Sequence, residues 1–168
     1  MLSRLIAALV LLTLLAAGAA TRAAQAPPEV PGSRERSTGR VWQGRWIWTE
    51  GDPAPRNSYT YFRKKLKLDG KPKEPQILIT ADSRYQLFVN GEFVGRGPVR
   101  SDRRWLYYDT WNLDRYLKKG DNVLAVLVHH LGEGTFQYMK GRGGLLAELV
   151  AFAGKPLGHT DSTWRALR

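Results

Sequence analysis

The clearest alternation of apolar and polar positions lies near the middle of the chain. Tyr85, Leu87 and Val89 occupy every second position, which is the period expected of a half-buried β-strand. Asn90 and Gly91 follow directly, and this pair favours a type I′ turn because both residues tolerate positive φ. The sequence therefore predicts a β-hairpin here, with a second strand returning after the turn.

Other segments carry weaker strand patterns. They span residues 41–49, 58–68, 105–111, 121–130 and 145–152, and one more strand is expected to start within 160–167. In the first of them Trp42, Trp46 and Trp48 share one parity, which predicts a strand with one aromatic face. Segment 121–130 is apolar at both parities, which predicts a central strand buried on each side. Spacings of three and four in 113–119 predict a single helical turn.

Short strands, a clear hairpin and no long helical periodicity predict an all-β fold, a β-sandwich over residues 41–168. Residues 1–24 have a basic start, an apolar run and small residues, the build of a signal peptide helix. Cleavage is expected after Ala19, Ala24 or Ala26, and an uncleaved N-terminal anchor is the alternative. Residues 25–40 are rich in Pro, Gly and charge, which predicts a disordered linker. The protein is thus expected to be secreted or periplasmic, with no stable membrane span after signal cleavage.

Composition limits the chemistry. The chain has 168 residues and no Cys, so one domain is expected, without disulfides or thiolate metal sites. Its formal net charge of +11 indicates either a solvated basic surface or a polyanion partner.

No catalytic or cofactor motif stands out. His129 and His130 are neighbours on a predicted strand, so their side chains point to opposite faces and cannot readily share a metal ion. The motif GxSxG is absent, and GRGG at 141–144 lacks the GKS ending of a P-loop. Glu133 is the one acidic residue in a typical site location, a Gly-rich loop, and the other candidate carboxylates suit turns or strands. We expect no catalysis by this chain, no metal and no cofactor.

Loop-rich segments supply residues for carbohydrate binding, because aromatic rings can stack on sugars and polar groups can fix hydroxyls. The alternative for each aromatic residue is packing in the core. The candidates are Arg84, Arg96, Trp105, Tyr107, Tyr108, His130, Glu133 and Tyr138.

Three segments, in this order, resemble a known family: TADSRYQLFVNGEFVGRGP, YYDTWNLDRYLKKGDNVLAVLVHHLGEGT and TDSTWRAL. They are similar to the N-terminal β-sandwich region of bacterial α-L-rhamnosidases, and the match runs from about Arg45 to Leu167. The resemblance implies a jelly-roll, galactose-binding-domain-like sandwich.

The resemblance also implies a function. Those enzymes continue into an α/α-barrel that holds the catalytic carboxylates, whereas this sequence stops at Arg168. We therefore expect a non-catalytic accessory module from a truncated or split chain, with rhamnose-containing or acidic glycans as ligands. A catalytic α/α-barrel domain, in cis or in trans, is the second expected partner. A purely structural domain that packs on such a barrel is one alternative, and a basic polyanion-binding secreted protein is another. No nucleic acid partner is expected, because the leader directs the chain out of the cytoplasm.

Overall fold

The protein is described by a computed structural model that covers residues 33–36, 40–101 and 106–168. The predicted signal peptide, residues 1–24, lies outside the described residues. No described segment forms a helix of the length and apolar character needed to cross a bilayer. The strands are β1 (Ser33–Arg36), β2 (Ser58–Leu68), β3 (Gln76–Asp82), β4 (Arg84–Val89), β5 (Glu92–Gly97), β6 (Tyr107–Asn112), β7 (Gly120–His130), β8 (Gly144–Val150), β9 (Pro156–His159) and β10 (Arg165–Leu167).

The strands form two antiparallel sheets of five strands each. The first sheet has the order β1-β6-β3-β8-β9, and the second sheet has the order β10-β2-β7-β4-β5. Both sheets contribute buried side chains to one hydrophobic core between them. Two sheets packed face to face over a common core form a β-sandwich, so the predicted all-β class is confirmed.

The hairpin predicted from Asn90-Gly91 connects β4 to β5. Asn90 has φ 53° and Gly91 has φ 87°, the positive values that the predicted turn requires. The side-chain amide of Asn90 also donates hydrogen bonds from Nδ2 to the Tyr116 carbonyl oxygen at 2.8 Å and to Asn122 Oδ1 at 2.9 Å. Its oxygen accepts the Val123 amide at 2.8 Å. Asn90 thus ties the hairpin to the segment that leads into β7.

The strand predicted over 58–68 is confirmed as β2, whose residues alternate between buried and exposed along most of its length. The predicted central strand is confirmed as β7, which lies between β2 and β4. Its expected burial on both sides is wrong, because the outward residues of β7 are only half-buried. The helical turn predicted at 113–119 is present, since the Leu117 amide donates to the Leu113 carbonyl at 3.1 Å.

The prediction of a strand over residues 41–49 is wrong. Only Ile47 forms a β-bridge there, with Leu145. Trp42 makes an edge contact with a tyrosine of β6, whereas Trp48 packs against the core between the sheets. Residues of the same parity reach different surfaces because this segment does not keep the regular geometry of a strand.

Two glycines make room for the indole rings of this segment. A Cβ atom on Gly143 would lie 2.4 Å from Trp48, and one on Gly144 would lie 2.5 Å from Trp46. The GRGG motif at 141–144 therefore serves close packing against the two tryptophans.

Some element bounds differ from the sequence prediction. The strand β1 lies within residues 25–40, the predicted linker, and pairs antiparallel with β6. Strand β8 ends at Val150, because a 3-10 turn at Phe152–Gly154 follows it. The last predicted strand is present as the three residues of β10, which pair with β2.

Trp111 on β6 heads the fully buried side chains by size and is 1% exposed. Gly95 on β5 faces it so closely that a Cβ atom would lie 2.1 Å from Cη2 of the indole. Glycine is therefore required here by the close approach of the ring to the β5 backbone.

We expect Gly95→Ala to lower the free energy of unfolding by roughly 2 kcal/mol, because the methyl group must displace a large buried ring. Urea denaturation of the two proteins measures this difference. Gly70→Ala is the control, since a Cβ there would meet nothing within 4 Å. Equal losses for the two variants would contradict the prediction.

Candidate functional site

The outer side of the second sheet carries a depression of about 590 Å³. It is built on β2, β7, β4 and β5, whose outward side chains alternate with those that fill the core. We call it the sheet-face site. Its lining residues are Tyr59, Arg84, Tyr85, Gln86, Arg96, Gly97, Pro98, Val99, Leu127 and His129.

Strand register places the outward lining residues in two rows across the sheet. In the first row Tyr59 lies opposite His129, and His129 lies opposite Arg84. Neighbouring strands are about 4.8 Å apart, so each row brings residues distant in sequence into contact range. The second row consists of Leu127, Gln86 and Arg96.

The first row contains a stacked pair of rings. The Tyr59 and His129 centroids are 4.3 Å apart, and the ring planes differ by 5°. Burial, followed by the nearby charges of Arg84 and His130, lowers the pKa of His129 below 6.5. The ring is therefore mainly neutral at pH 7. Its Nε2 lies 2.9 Å from Asn57 Oδ1, so Nε2 carries the proton and Nδ1 can accept a hydrogen bond.

Arg84 and Arg96 bring positive charge to the sheet-face site. Both side chains are exposed. No carboxylate in the described ranges forms an ion pair with either of them. Their guanidinium donors are therefore available to a ligand.

A second cleft of about 290 Å³ adjoins the first and shares Arg84, Pro98 and Val99 with it. We call it the rim cleft. It lies at the junction of β3 and β4, beside the loop that follows β7. Its other lining residues are Ala81, Asp82, Ser83, Arg100, Ser101, Leu106, Leu131, Gln137, Tyr138 and Met139.

Asp82 holds the wall of the rim cleft together. Its Oδ1 accepts hydrogen bonds from the Tyr138 hydroxyl, from His130 Nδ1 at 3.0 Å and from Ser83 Oγ at 3.2 Å. The Tyr138 hydroxyl accepts the Gly141 amide at 3.1 Å. Burial, and then the bond to Asp82, raise the pKa of Tyr138 to about 12. These contacts fasten the loop over residues 131–143 to the sandwich.

The structure divides the predicted binding residues among several places. Arg84 and Arg96 come together at the sheet-face site. His130 and Tyr138 come together around Asp82, with the His130 side chain fully buried. Their roles in binding stay predictions.

The remaining candidates lie apart from these two clefts. Glu133 is exposed, and its carboxylate is 3.6 Å from Arg56 Nε. Tyr108 is buried and makes an edge contact with Trp42 at 5.3 Å. Tyr107 is half-buried, and its carbonyl accepts a hydrogen bond from a threonine of β3. Trp105 lies outside the described residues.

Sequence reasoning missed three residues of the sheet-face site, Tyr59, Gln86 and His129. The alternation of β2 and β4 did place Tyr59 and Gln86 on the outer face, which was the available signal. What the sequence did not contain was the register that sets them beside His129.

The carboxylates of the sandwich have structural contacts. Asp109 is fully buried and accepts a hydrogen bond from the Tyr85 hydroxyl at 2.6 Å. That hydroxyl in turn accepts a hydrogen bond from Trp111 Nε1 at 2.8 Å. In the described part of the chain, no three His, Asp or Glu residues are grouped so that they could hold a metal ion.

The sequence and the fold were compared with those of known proteins. No protein-family model matches the sequence. An α-L-rhamnosidase of Formosa agariphila is 32% identical over 108 residues, which is 61% of this chain and 10% of that protein. The solved GH78 family rhamnosidase of Bacillus sp. GL1 shares 46% identity with a TM-score of 0.72, over 77% of this chain and 14% of that one. The chain is thus homologous to a part of α-L-rhamnosidases, as the sequence resemblance predicts.

A lectin has a similar sandwich. The lectin of Pleurotus ostreatus, solved in complex with GalNAc, shares 26% identity with a TM-score of 0.51. The match covers 74% of this chain and 34% of the lectin chain. The fold is therefore shared between a segment of rhamnosidases and a sugar-binding protein.

Proposed function

We propose that this chain is a non-catalytic carbohydrate-binding accessory module of an α-L-rhamnosidase-like glycoside hydrolase. The sheet-face site is the observation that carries the proposal, because it joins the Tyr59–His129 ring pair to the donors of Arg84, Gln86 and Arg96. Ligand sites usually combine apolar surface with a few placed polar groups in volumes of roughly 300–1,000 Å³. The depression has both properties.

The chemistry of the site suits a sugar. The C–H faces of a pyranose ring pack against aromatic rings, which carry large apolar area at little cost in conformational freedom. Hydroxyl groups can donate to His129 Nδ1 and can bond to both ends of the Gln86 amide. Arginine adds a planar set of donors for hydroxyl or carboxylate oxygens.

The comparisons support this proposal in two ways. Similarity to α-L-rhamnosidases connects the region to proteins that act on rhamnosides, and similarity to a lectin connects the sandwich to sugar binding. We further propose a jelly-roll, galactose-binding-domain-like sandwich that works after secretion, outside the cell or in the periplasm.

Calorimetric titration of the purified chain tests the proposal. The panel contains L-rhamnose, methyl α-L-rhamnoside, GalNAc and pectic oligosaccharides of both acidic and methyl-esterified form. We expect saturable binding of at least one member. No heat and no protection from thermal unfolding with any of them would refute carbohydrate binding.

Tyr59→Ala is expected to weaken the binding of that sugar about tenfold, equivalent to about 1.4 kcal/mol, because half of the ring pair is lost. Tyr61→Ala is a matched control, since Tyr61 is an exposed outward tyrosine of the same strand that does not line the site. We expect less than a twofold effect from it. Equal effects of the two substitutions would remove Tyr59 from the site.

One observation favours a second function, in which the sandwich packs against a catalytic domain. Phe136, at the tip of the 131–143 loop, is 94% exposed, and Met139, three residues later in the same loop, is 53% exposed. Arg100 Nη2 donates to the Phe136 carbonyl at 3.1 Å and helps to hold this tip. Exposed apolar groups held in place on a surface are typical of protein contacts.

Size-exclusion chromatography tests this second function. The chain is mixed with a similar rhamnosidase expressed without its homologous segment. If the tip is the contact, the two proteins elute together and Phe136→Ser separates them. Co-elution that Phe136→Ser leaves unchanged would place the contact elsewhere.

A further inference from the structure

The charged residues among the described lining of the sheet-face site are all positive. Arg84 and Arg96 are cationic, and His129 is mainly neutral at pH 7. Among the described residues, no Asp or Glu lines the site. Two guanidinium groups with no carboxylate neighbour in the described part of the chain repel each other, and binding of a neutral sugar would not relieve that repulsion.

The strand register sets the two arginines within reach of one anion. Arg96 on β5 lies opposite Gln86 on β4, and Arg84 lies two residues before Gln86. Both side chains are exposed on the outer face of the second sheet. Diagonal neighbours on adjacent antiparallel strands are roughly 7–8 Å apart, a distance that two long side chains can close around one group.

Tyr59 and Arg96 lie at different ends of the site, and His129 and Arg84 lie side by side between them. Tyr59 is on β2 and Arg96 is on β5, three strand spacings away, or roughly 14 Å. Between them lie the side chains of β7 and β4. The site is therefore long enough for more than one sugar unit, with an aromatic end and a cationic end.

We infer that the ligand is an acidic glycan, whose uronic-acid carboxylate binds to Arg84 and Arg96 while a neighbouring sugar packs against the Tyr59–His129 pair. This inference rests on the proposed function, because it names the ligand class of the same site. A carboxylate is favoured because its planar pair of oxygens matches the guanidinium fork. It would also neutralise two like charges that the described residues leave uncompensated.

Calorimetry with three probes at about 0.15 M salt tests the inference: trigalacturonate, its fully methyl-esterified form and heparin. The esterified form keeps the sugar rings and removes the charge. We expect trigalacturonate to bind at least tenfold more tightly than its ester. We also expect Arg84→Gln and Arg96→Gln each to lower the affinity for trigalacturonate five- to tenfold. The affinity for the ester should change less than twofold.

Arg63→Gln is the matched control. Arg63 is an exposed residue of β2, and the substitution removes the same charge outside the lining of the site. It should change the trigalacturonate affinity less than twofold. Thermal melting of each variant confirms that it is folded.

The other outcomes each overturn a distinct statement. Equal affinity for acid and ester, or binding of neutral sugars alone, overturns the acidic ligand and leaves carbohydrate binding in place. If no sugar binds, either in the first titration panel or among these probes, the proposed function is overturned together with the inference. A third outcome is that heparin binds as tightly as trigalacturonate, that this binding is lost by about 0.5 M salt, and that Arg63→Gln weakens it as much as Arg84→Gln and Arg96→Gln do. The binding is then diffuse polyanion attraction, and the inference is wrong.

Discussion

Replacing Asp82 by alanine is expected to lower the free energy of unfolding by roughly 3 kcal/mol and to release the 131–143 loop. The carboxylate is the shared acceptor of Tyr138, His130 and Ser83. His130 is fully buried, and its Nε2 already has no partner among the described residues. Without the carboxylate, His130 Nδ1 keeps only the Asp82 carbonyl oxygen at 3.2 Å, and the Tyr138 hydroxyl loses its acceptor. Each buried polar group without a partner costs about 1–3 kcal/mol.

Two measurements separate the global from the local part of this effect. Urea denaturation gives the loss of stability, and amide hydrogen exchange at Gly141 reports the release of the loop, because that amide donates to the Tyr138 hydroxyl. Tyr138→Phe keeps the ring and removes only the hydroxyl, so about 1 kcal/mol is expected from it.

The control for Asp82 is Asp69→Ala, a substitution at an exposed position of the β2–β3 connection. It should change stability by less than about 0.5 kcal/mol. If Asp82→Ala behaves like Asp69→Ala, or if exchange at Gly141 is unchanged, Asp82 does not hold the loop.

Features encoded by neighbouring residues could be predicted from the sequence. The β4–β5 hairpin follows from Asn90-Gly91, whose backbone preferences do not depend on the rest of the chain. The opposite orientations of His129 and His130 follow from the geometry of any strand, and the structure confirms them, with His129 at the sheet-face site and His130 buried.

Features that depend on contacts between distant segments could not be predicted. Tyr59 and His129 are far apart in sequence and meet only through the register of β2 with β7. The path of the tryptophan-rich segment 41–49 depends on where Gly143 and Gly144 leave room for indole rings. Parity shows which residues share a face of a regular strand, and it does not show whether the strand is regular.

The predicted binding residues also differ in whether their surroundings depend on distant segments of the chain. Arg84 and Arg96 are candidates from loop-rich segments of the predicted sandwich, and the structure places them on β4 and β5 with their side chains at the sheet-face site. Tyr108 is a candidate as an aromatic ring that can stack on a sugar, whereas it is buried and packs against Trp42 in a segment whose course the sequence did not predict. Whether a side chain on the outer side of a sheet is buried depends on which other segment of the chain packs over it. A local sequence pattern does not contain that information.

Glu148→Ala is expected to lower the free energy of unfolding by roughly 3 kcal/mol at pH 7. Glu148 lies on β8 and its side chain is 6% exposed. One carboxylate oxygen accepts the amides of Gln43 and of Gly44, the latter at 3.1 Å, and the other accepts Arg40 Nη2 at 2.8 Å. Removing the acceptor leaves these donors beside an apolar side chain and frees the 40–44 segment from the first sheet.

The same carboxylate makes stability depend on pH, with a definite sign. Burial alone would raise the pKa of Glu148, but the hydrogen bonds from Arg40, Gly44 and Gln43 outweigh it and hold the pKa below 4.5. A carboxyl group whose pKa is lower in the folded state contributes its full stability above about pH 4.5 and loses it as the pH falls through the folded value. Glu148→Gln cannot titrate, so the stability advantage of the unsubstituted chain over this variant should shrink as the pH falls below about 4.5. Glu50→Gln, at an exposed position, is the control and should show no such trend. An advantage that stays constant down to about pH 3 would mean that the charge of Glu148 does not fasten the segment.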